Sequence, residues 1–290
     1  MSGAERRALV CGAGFMGHGI AQVLAAAGWE VRLYEPALAR AVAGRDRVAA
    51  NLDRALAKGR IDAATRDAIL GRILPAAELP AAAAGAGLVV EAIVEDEAAK
   101  RALFTALDGL VPDDALLATN TSSIPIARIA AAVRPERRGA VIGMHFFSPV
   151  PVMPLVEIVR SASTADAAEA RVRAIVAELG KEAVVSADRP GFLVNRMLIP
   201  FLGEAMRLLE EGTGSAAEID AAARLGLNHP MGPLELADFI GLDTLLAIME
   251  IQAEGLGAPH HAPPAILRRL VAEGRLGRKS GAGFLDYPAG

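Results

Sequence analysis

Gly12-Ala13-Gly14-Phe15-Met16-Gly17 fits the pattern G-x-G-x-x-G, and its flanks decide what the pattern means. Before it, Arg7–Cys11 (RALVC) reads as a short buried strand. After it, Phe15–Ala27 is a run of small apolar residues with helical character. Glu30–Tyr34 is a second strand, and an acid, Glu35, closes it. In a strand–loop–helix–strand–acid setting each glycine has a physical task. Gly12 permits the tight turn, Gly14 lets the backbone approach a pyrophosphate, and Gly17 lets the helix pack closely on the strand. The helix N-terminus presents unpaired N–H groups to the phosphates. Gly12, Ala13, Gly14, Phe15, Met16 and Gly17 are therefore expected to line a dinucleotide. Glu35 would accept hydrogen bonds from the adenosine ribose and repel a 2′-phosphate, which selects NAD over NADP. FAD proteins share the fingerprint, so the rest of the chain has to settle the cofactor class.

The loop also explains a stretch that could be misread. From Ala8 to Gly28 no residue is charged if His18 is neutral, a length that suggests a membrane span. The stretch holds five glycines, with His18 and Gln22 among them, and only Glu5-Arg6-Arg7 as a weak basic start, so targeting is rejected. Composition excludes more. At 290 residues and 53% hydrophobic, the chain can bury a sizeable core without metal or disulfides. A net charge of −4 with spread basic residues gives no footprint for nucleic acid or an anionic membrane. Cys11 is the single cysteine, which excludes an internal disulfide or a cysteine-based zinc site, and no metal is expected. A cytoplasmic protein is the expectation.

Further along, a helical segment runs from about Ala37 to Lys58. Leu88–Ile93 is a strand, Asp96 to Leu110 a charged amphipathic helix, and Ala115–Thr119 and Ala140–Phe146 are further strands. Met153–Val159 is apolar on both faces, and Ala165–Leu179 is a helix. Strands alternating with helices imply crossovers and a parallel sheet. After Asp188-Arg189-Pro190-Gly191 only helical periodicity follows. The spacing predicts an α/β Rossmann-type dinucleotide-binding domain over 1–188, followed by an all-α C-terminal domain over 189–290.

Several motifs stand in order along the chain: GAGFMGHGIA (Gly12–Ala21), VEAIVE (Val90–Glu95), NTSS (Asn120–Ser123), HFFSP (His145–Pro149), PVMPLVE (Pro151–Glu157), PGFLVNR (Pro190–Arg196), PMGPLE (Pro230–Glu235) and GRKSGAGF (Gly277–Phe284). With them the chain resembles the L-3-hydroxyacyl-CoA dehydrogenase family over nearly its whole length, particularly its short bacterial 3-hydroxybutyryl-CoA members. The resemblance implies NAD as cofactor, an acyl-CoA as substrate, and a homodimer formed through the helical C-terminal domain. It also implies that His145 and Glu157 carry the chemistry. Oxidising a secondary alcohol needs a base for the hydroxyl proton, and a carboxylate on the second imidazole nitrogen orients that base and stabilises its cation. Ser122 and Asn195 match the polar residues that contact substrate and nicotinamide. Glu95, Lys100 and the tail residue Lys279 match cofactor contacts. Asn51 and Lys58 lie on the segment NLDRALAKGR (Asn51–Arg60), which resembles a helical arm over 37–60 that carries CoA contacts.

Each residue also has a plainer reading. Ser122 could be a turn serine, Asn195 a helix-start asparagine, and Glu95 through Lys100 a solvated helix start. Lys58 and Arg60 could be cations at a helix end. Two positions depart from the family pattern. Ser148 stands where asparagine is usual, and Pro154 where many relatives have lysine. His260-His261 and His18 carry no metal spacing, and Cys11 reads as a small buried hydrophobe. The competing functions are a dehydrogenase of a free hydroxy acid, of gulonate type, and a non-catalytic NAD-binding homologue.

Overall fold

A computed structural model describes residues 6–287, which fall into two compact units dividing after Arg189. The first is built on β1 (Arg7–Cys11), β2 (Glu30–Tyr34), β3 (Ile73–Ala76), β4 (Leu88–Glu91), β5 (Leu116–Thr119), β6 (Val141–Phe146), β7 (Leu155–Arg160) and β8 (Glu182–Ala187). They form one sheet in the order β3-β2-β1-β4-β5-β6-β7-β8. The first six are parallel in the order of a dinucleotide-binding sheet. The parallel sheet expected from the alternating strands and helices is present, with one reversal: β7 runs antiparallel to β6, and β8 runs parallel to β7. The connection from β6 to β7 contains no helix, so nothing carries the chain back to the opposite edge before β7 begins.

The helices of this unit are α1 (Gly17–Ala26), α2 (Leu38–Ala57), α3 (Ala63–Gly71), α4 (Leu79–Ala83), α5 (Glu97–Asp108), α6 (Ile126–Ala130) and α7 (Asp166–Glu178). β1, β4, β5 and β6 are almost wholly buried, as strands covered on both faces must be. Their apolar residues, with Ile20 and Leu24 of α1 and Val172 and Val176 of α7, make the first core. Because these four strands are parallel, the loops that follow β1, β4 and β5 and the end of β6 all emerge at one edge. That edge is where a parallel sheet binds ligands.

The second unit is helical: α8 (Val194–Glu210), α9 (Ala216–Gly226), α10 (Pro233–Ile240), α11 (Leu242–Leu256) and α12 (Ala265–Ala272). Leu202, Met206, Leu234, Leu245, Met249 and Leu267 are at its centre. Two buried carboxylates fix its turns. Asp220 accepts from the backbone N–H of Leu234 (2.8 Å) and Glu235 (3.1 Å), capping α10. Asp238 accepts from the N–H of Phe284 and Leu285, both at 2.9 Å, and from the Tyr287 hydroxyl at 3.1 Å, fastening the tail. No helix among the described residues is long and apolar enough to cross a membrane.

Candidate active site

The glycine loop follows β1. Gly12 sits at φ +98°, and a Cβ there would lie 2.4 Å from the Ala92 carbonyl oxygen, so only glycine fits between β1 and the end of β4. A Cβ on Gly17 would lie 1.7 Å from the Gly12 oxygen, which is the close helix–strand approach the motif requires. Gly14 is different. Nothing lies within 4 Å of where its Cβ would be, so the loop is open on that side. No side chain caps α1. An open glycine beside an uncapped helix start fits the pyrophosphate of NAD. Phe15 and Val94, 74% and 69% exposed, border this edge and offer apolar surface to a cofactor. Glu35 accepts from the Ala13 N–H at 2.9 Å and pairs with Arg40 at 3.6 Å. It therefore shapes the loop as well as standing where a ribose would be read. Arg47 donates to the Ala13 carbonyl at 3.0 Å and closes the other side. Cys11 is fully buried, and burial followed by the charges of Glu91 and Glu35 pushes its thiol well up.

His145 and Glu157 face each other across the β6–β7 ladder, paired directly in register. His145 Nδ1 lies 2.7 Å from Glu157 Oε2, with the histidine 6% and the glutamate 0% exposed. Same-register residues on antiparallel strands project to the same face, so the backbone pairing brings the two side chains together. The Phe147 ring tilts against the imidazole at 4.5 Å between centroids. Ser148 is exposed in the following turn.

The loop after β5 carries Ser122. Glu95 Oε1 gathers it: it accepts from the Thr121 hydroxyl (2.6 Å), the Ser122 N–H (2.9 Å), the Ser123 N–H (3.1 Å) and the Ser123 hydroxyl (2.8 Å). The Ser122 hydroxyl is only loosely held, 3.4 Å from the same oxygen. Burial would raise the Glu95 pKa, but the Lys100 ammonium and these hydrogen bonds hold it below the ordinary glutamate value. Lys100 is turned inward and 1% exposed, its ammonium 2.6 Å from Glu91 and 3.2 Å from Glu95. Asn120 joins this loop to the strand of His145, its Oδ1 accepting from the Phe146 N–H at 2.8 Å. Sequence reasoning passed over Asn120, Glu91 and Val94, although all three lie within or at the end of the quoted motifs.

On α2, Asn51 donates from Nδ2 to Gln22 at 3.1 Å and accepts from Arg54 through Oδ1. Lys58 caps the same helix and is exposed, as is Arg60, giving this end a cluster of cations. In the second unit Asn195 lies half-buried in the first turn of α8, and Lys279 pairs with Asp243 at 2.5 Å. Among the described residues no three His, Cys, Asp or Glu side chains gather as a metal would need.

A loop open to a dinucleotide and a buried imidazole–carboxylate pair, on strand ends of one sheet, define a nucleotide-dependent oxidoreductase. Comparison with known proteins narrows the class. Residues 7–189 match the description "3-hydroxyacyl-CoA dehydrogenase, NAD binding domain", and residues 191–287 match the C-terminal domain of the same enzymes. The chain belongs to the 3-hydroxyacyl-CoA dehydrogenase family, and its first unit is the family's NAD-binding domain. A 3-hydroxybutyryl-CoA dehydrogenase of Mycobacterium tuberculosis is 48% identical over 99% of this chain and 100% of its own length. A 3-hydroxyadipyl-CoA dehydrogenase of Escherichia coli is 42% identical over 97% of this chain and 58% of its own. The crystal structure of (S)-3-hydroxybutyryl-CoA dehydrogenase from Ralstonia eutropha superposes with a TM-score of 0.94 at 41% identity, over 98% of this chain and 99% of that one.

Proposed function

We propose that the chain interconverts an L-3-hydroxyacyl-CoA and the corresponding 3-oxoacyl-CoA, with a short ester such as 3-hydroxybutyryl-CoA as substrate. The observation that carries this reading is the buried contact of His145 Nδ1 with Glu157 at 2.7 Å. NAD, held by the glycine loop and Glu35, would supply the hydride acceptor for C3 in oxidation and, as NADH, the donor in reduction. With Nδ1 committed to the carboxylate, the other ring nitrogen takes the proton from the 3-hydroxyl, and Glu157 stabilises the imidazolium that forms. In reduction the same nitrogen gives the proton back. Ser122, whose hydroxyl is loosely held, hydrogen-bonds the 3-oxygen, and Asn195 positions the thioester. Asn51 and Lys58 hold the CoA portion, the lysine as a point charge for phosphate. Glu95 and Lys279 serve the cofactor side of the site.

The exposed apolar residues of the second unit support a homodimer. Met197, Leu225, Leu227 and Phe239 are each more than half exposed, and a cavity of about 500 Å³ there is lined by Phe201, Ala205, Leu208, Ile219 and Leu227. The reading places the enzyme in the cytoplasm. Oxidation of NADH by acetoacetyl-CoA is the test. Rapid turnover supports the reading. Turnover only with a free hydroxy acid gives the gulonate-type alternative, and NADH binding without turnover gives a non-catalytic homologue. The relative named for 3-hydroxyadipyl-CoA makes a dicarboxylic ester the competing substrate, so both esters belong in the assay.

A further inference from the structure

Lys100 and Glu91 present an unusual combination. A lysine on the first turns of α5 and a glutamate at the end of β4 are 1% and 0% exposed, so neither can touch a ligand. Every polar atom of the Glu91 carboxylate is used. Oε1 accepts from Lys100 at 2.6 Å and from the Ile93 N–H at 2.7 Å, and Oε2 accepts from the Thr119 hydroxyl at 2.6 Å. The Thr119 oxygen in turn accepts from the Thr121 N–H at 3.2 Å, while the Thr121 hydroxyl donates to Glu95. The ammonium that neutralises Glu91 is also the one that holds Glu95, at 3.2 Å. A sealed ion pair adds little stability compared with apolar residues of the same volume, because desolvation offsets most of the attraction. What such a pair supplies here is geometry: two charges and a chain of threonines allow one arrangement of the loop 119–123.

We propose that Glu91 and Lys100 are positioning residues for the reaction, fixing Ser122 through Glu95 and, through Asn120, the end of the strand that bears His145. The inference rests on the reading of Ser122 and His145 as reacting-site groups. It differs from the role the family resemblance gives Lys100, since the ammonium acts on the loop and not on the cofactor. The ladder explains why a brace is needed. β5 and β6 pair as far as Thr119 and Gly143, but His145 lies beyond that point. Past the last pair the Asn120 side chain links the two strand ends, its Oδ1 accepting from the Phe146 N–H at 2.8 Å. Asn120 continues the β4–β5 ladder through its N–H on the Glu91 carbonyl at 2.8 Å, whereas the turn beyond it, with Ser122, is set by the Glu91–Lys100–Glu95 cluster.

The test is the double variant Glu91→Gln/Lys100→Met, which removes both buried charges while keeping side-chain volume; the amide oxygen still accepts from the Ile93 N–H, and the Thr119 hydroxyl can rotate to accept from the amide NH2. Three quantities are read: kcat and KM with acetoacetyl-CoA, NADH affinity by fluorescence titration, and Tm. The expected result is a folded protein with NADH affinity within about threefold of the parent and kcat lowered about 10- to 100-fold, the scale of a misplacement near 1 Å. A folded double variant with parental kcat overturns the proposal. So does a loss of NADH affinity as large as the loss of kcat, which would make Lys100 a cofactor contact. Should the double variant not fold, Glu91→Gln alone decides by the same split. Ser122→Ala is assayed beside it. If that change leaves kcat and KM untouched, the site reading itself fails and the positioning role with it. If Ser122→Ala is impaired and the charge-free pair is not, only the positioning role fails.

Discussion

His145→Gln removes the ring nitrogen to which the proposed mechanism assigns the proton and keeps a polar side chain of similar reach. Proton transfer by a placed side chain contributes roughly 10²–10⁴-fold to rate, and the loss in kcat should fall in that range. Glu157→Gln can be worked from the contact itself. The pair is buried and 2.7 Å apart, so it is a charge-assisted hydrogen bond whenever the ring is protonated. Exchanging such a bond for a neutral one costs about 1–1.5 kcal/mol, or roughly tenfold in the population of the imidazolium. An amide can also donate to Nδ1 and select the wrong tautomer, which raises the expected loss to about 10²-fold. The double variant should be little worse than His145→Gln, because the two residues act as one unit. The assay is NADH absorbance with acetoacetyl-CoA at saturation, with NADH affinity measured separately and expected to change little. In the oxidation direction protonation of the base stops the reaction. Without Glu157 the cation is less stable, so the acid limb of the rate profile should move to lower pH. Near-parental turnover in His145→Gln would refute the mechanism, and an acid limb that moves upward would refute the part given to Glu157.

Gly14→Ala should leave Tm unchanged and weaken NADH binding, since its Cβ meets no protein atom, whereas Gly17→Ala should destabilise the fold by about 1–3 kcal/mol as its Cβ collides with the Gly12 carbonyl; thermal melts and NADH titrations of both separate the cases. Glu35→Ser should narrow the preference for NADH over NADPH, because it removes the repulsion of a 2′-phosphate and frees the neighbouring Arg40 to pair with one, as the ratio of kcat/KM values will show. Glu95→Gln should flatten the acid side of the stability profile: a carboxylate held below its ordinary pKa adds stability above that value and loses it as pH falls through the lowered one, a difference readable from melts in acid buffers. Leu225→Glu with Leu227→Glu should give a monomer by light scattering at micromolar concentration if the exposed face of the second unit is where two copies meet.

Much of this was legible because it depends on local pattern. β1, the glycine loop, β2 and Glu35 follow from glycine chemistry and apolar runs, and α2 lies within a residue of its predicted ends. What escaped depends on distant partners. β3 contains Pro75 and is only Ile73–Ala76, so nothing marks it as a strand until β2 lies beside it. β8 is a half-exposed edge strand, EAVVSA, with neither clean alternation nor a continuous apolar run. The direction of β7 cannot be read from its residues, which are apolar on both faces whichever way it runs. In the site, His145 and Glu157 stood out through their motifs. Lys100 read through its motif as a cofactor contact, or without it as part of a solvated helix start, and only the fold shows that β4 and the loop after β5 close over it.

The two halves of the site are encoded in different ways. His145 and Glu157 meet because main-chain pairing of two buried strands sets them opposite one another. Any sequence that forms this sheet in this register inherits their alignment. Ser122 has no such guarantee, since its place is specified side chain by side chain through Glu95, Thr121, Asn120 and the charges behind them. Sequence drift should therefore wear the site unevenly. The half proposed to handle the proton is as robust as the domain itself, while the half proposed to grip the substrate oxygen can be lost to one substitution several residues away in a protein that still folds, melts normally and binds its cofactor.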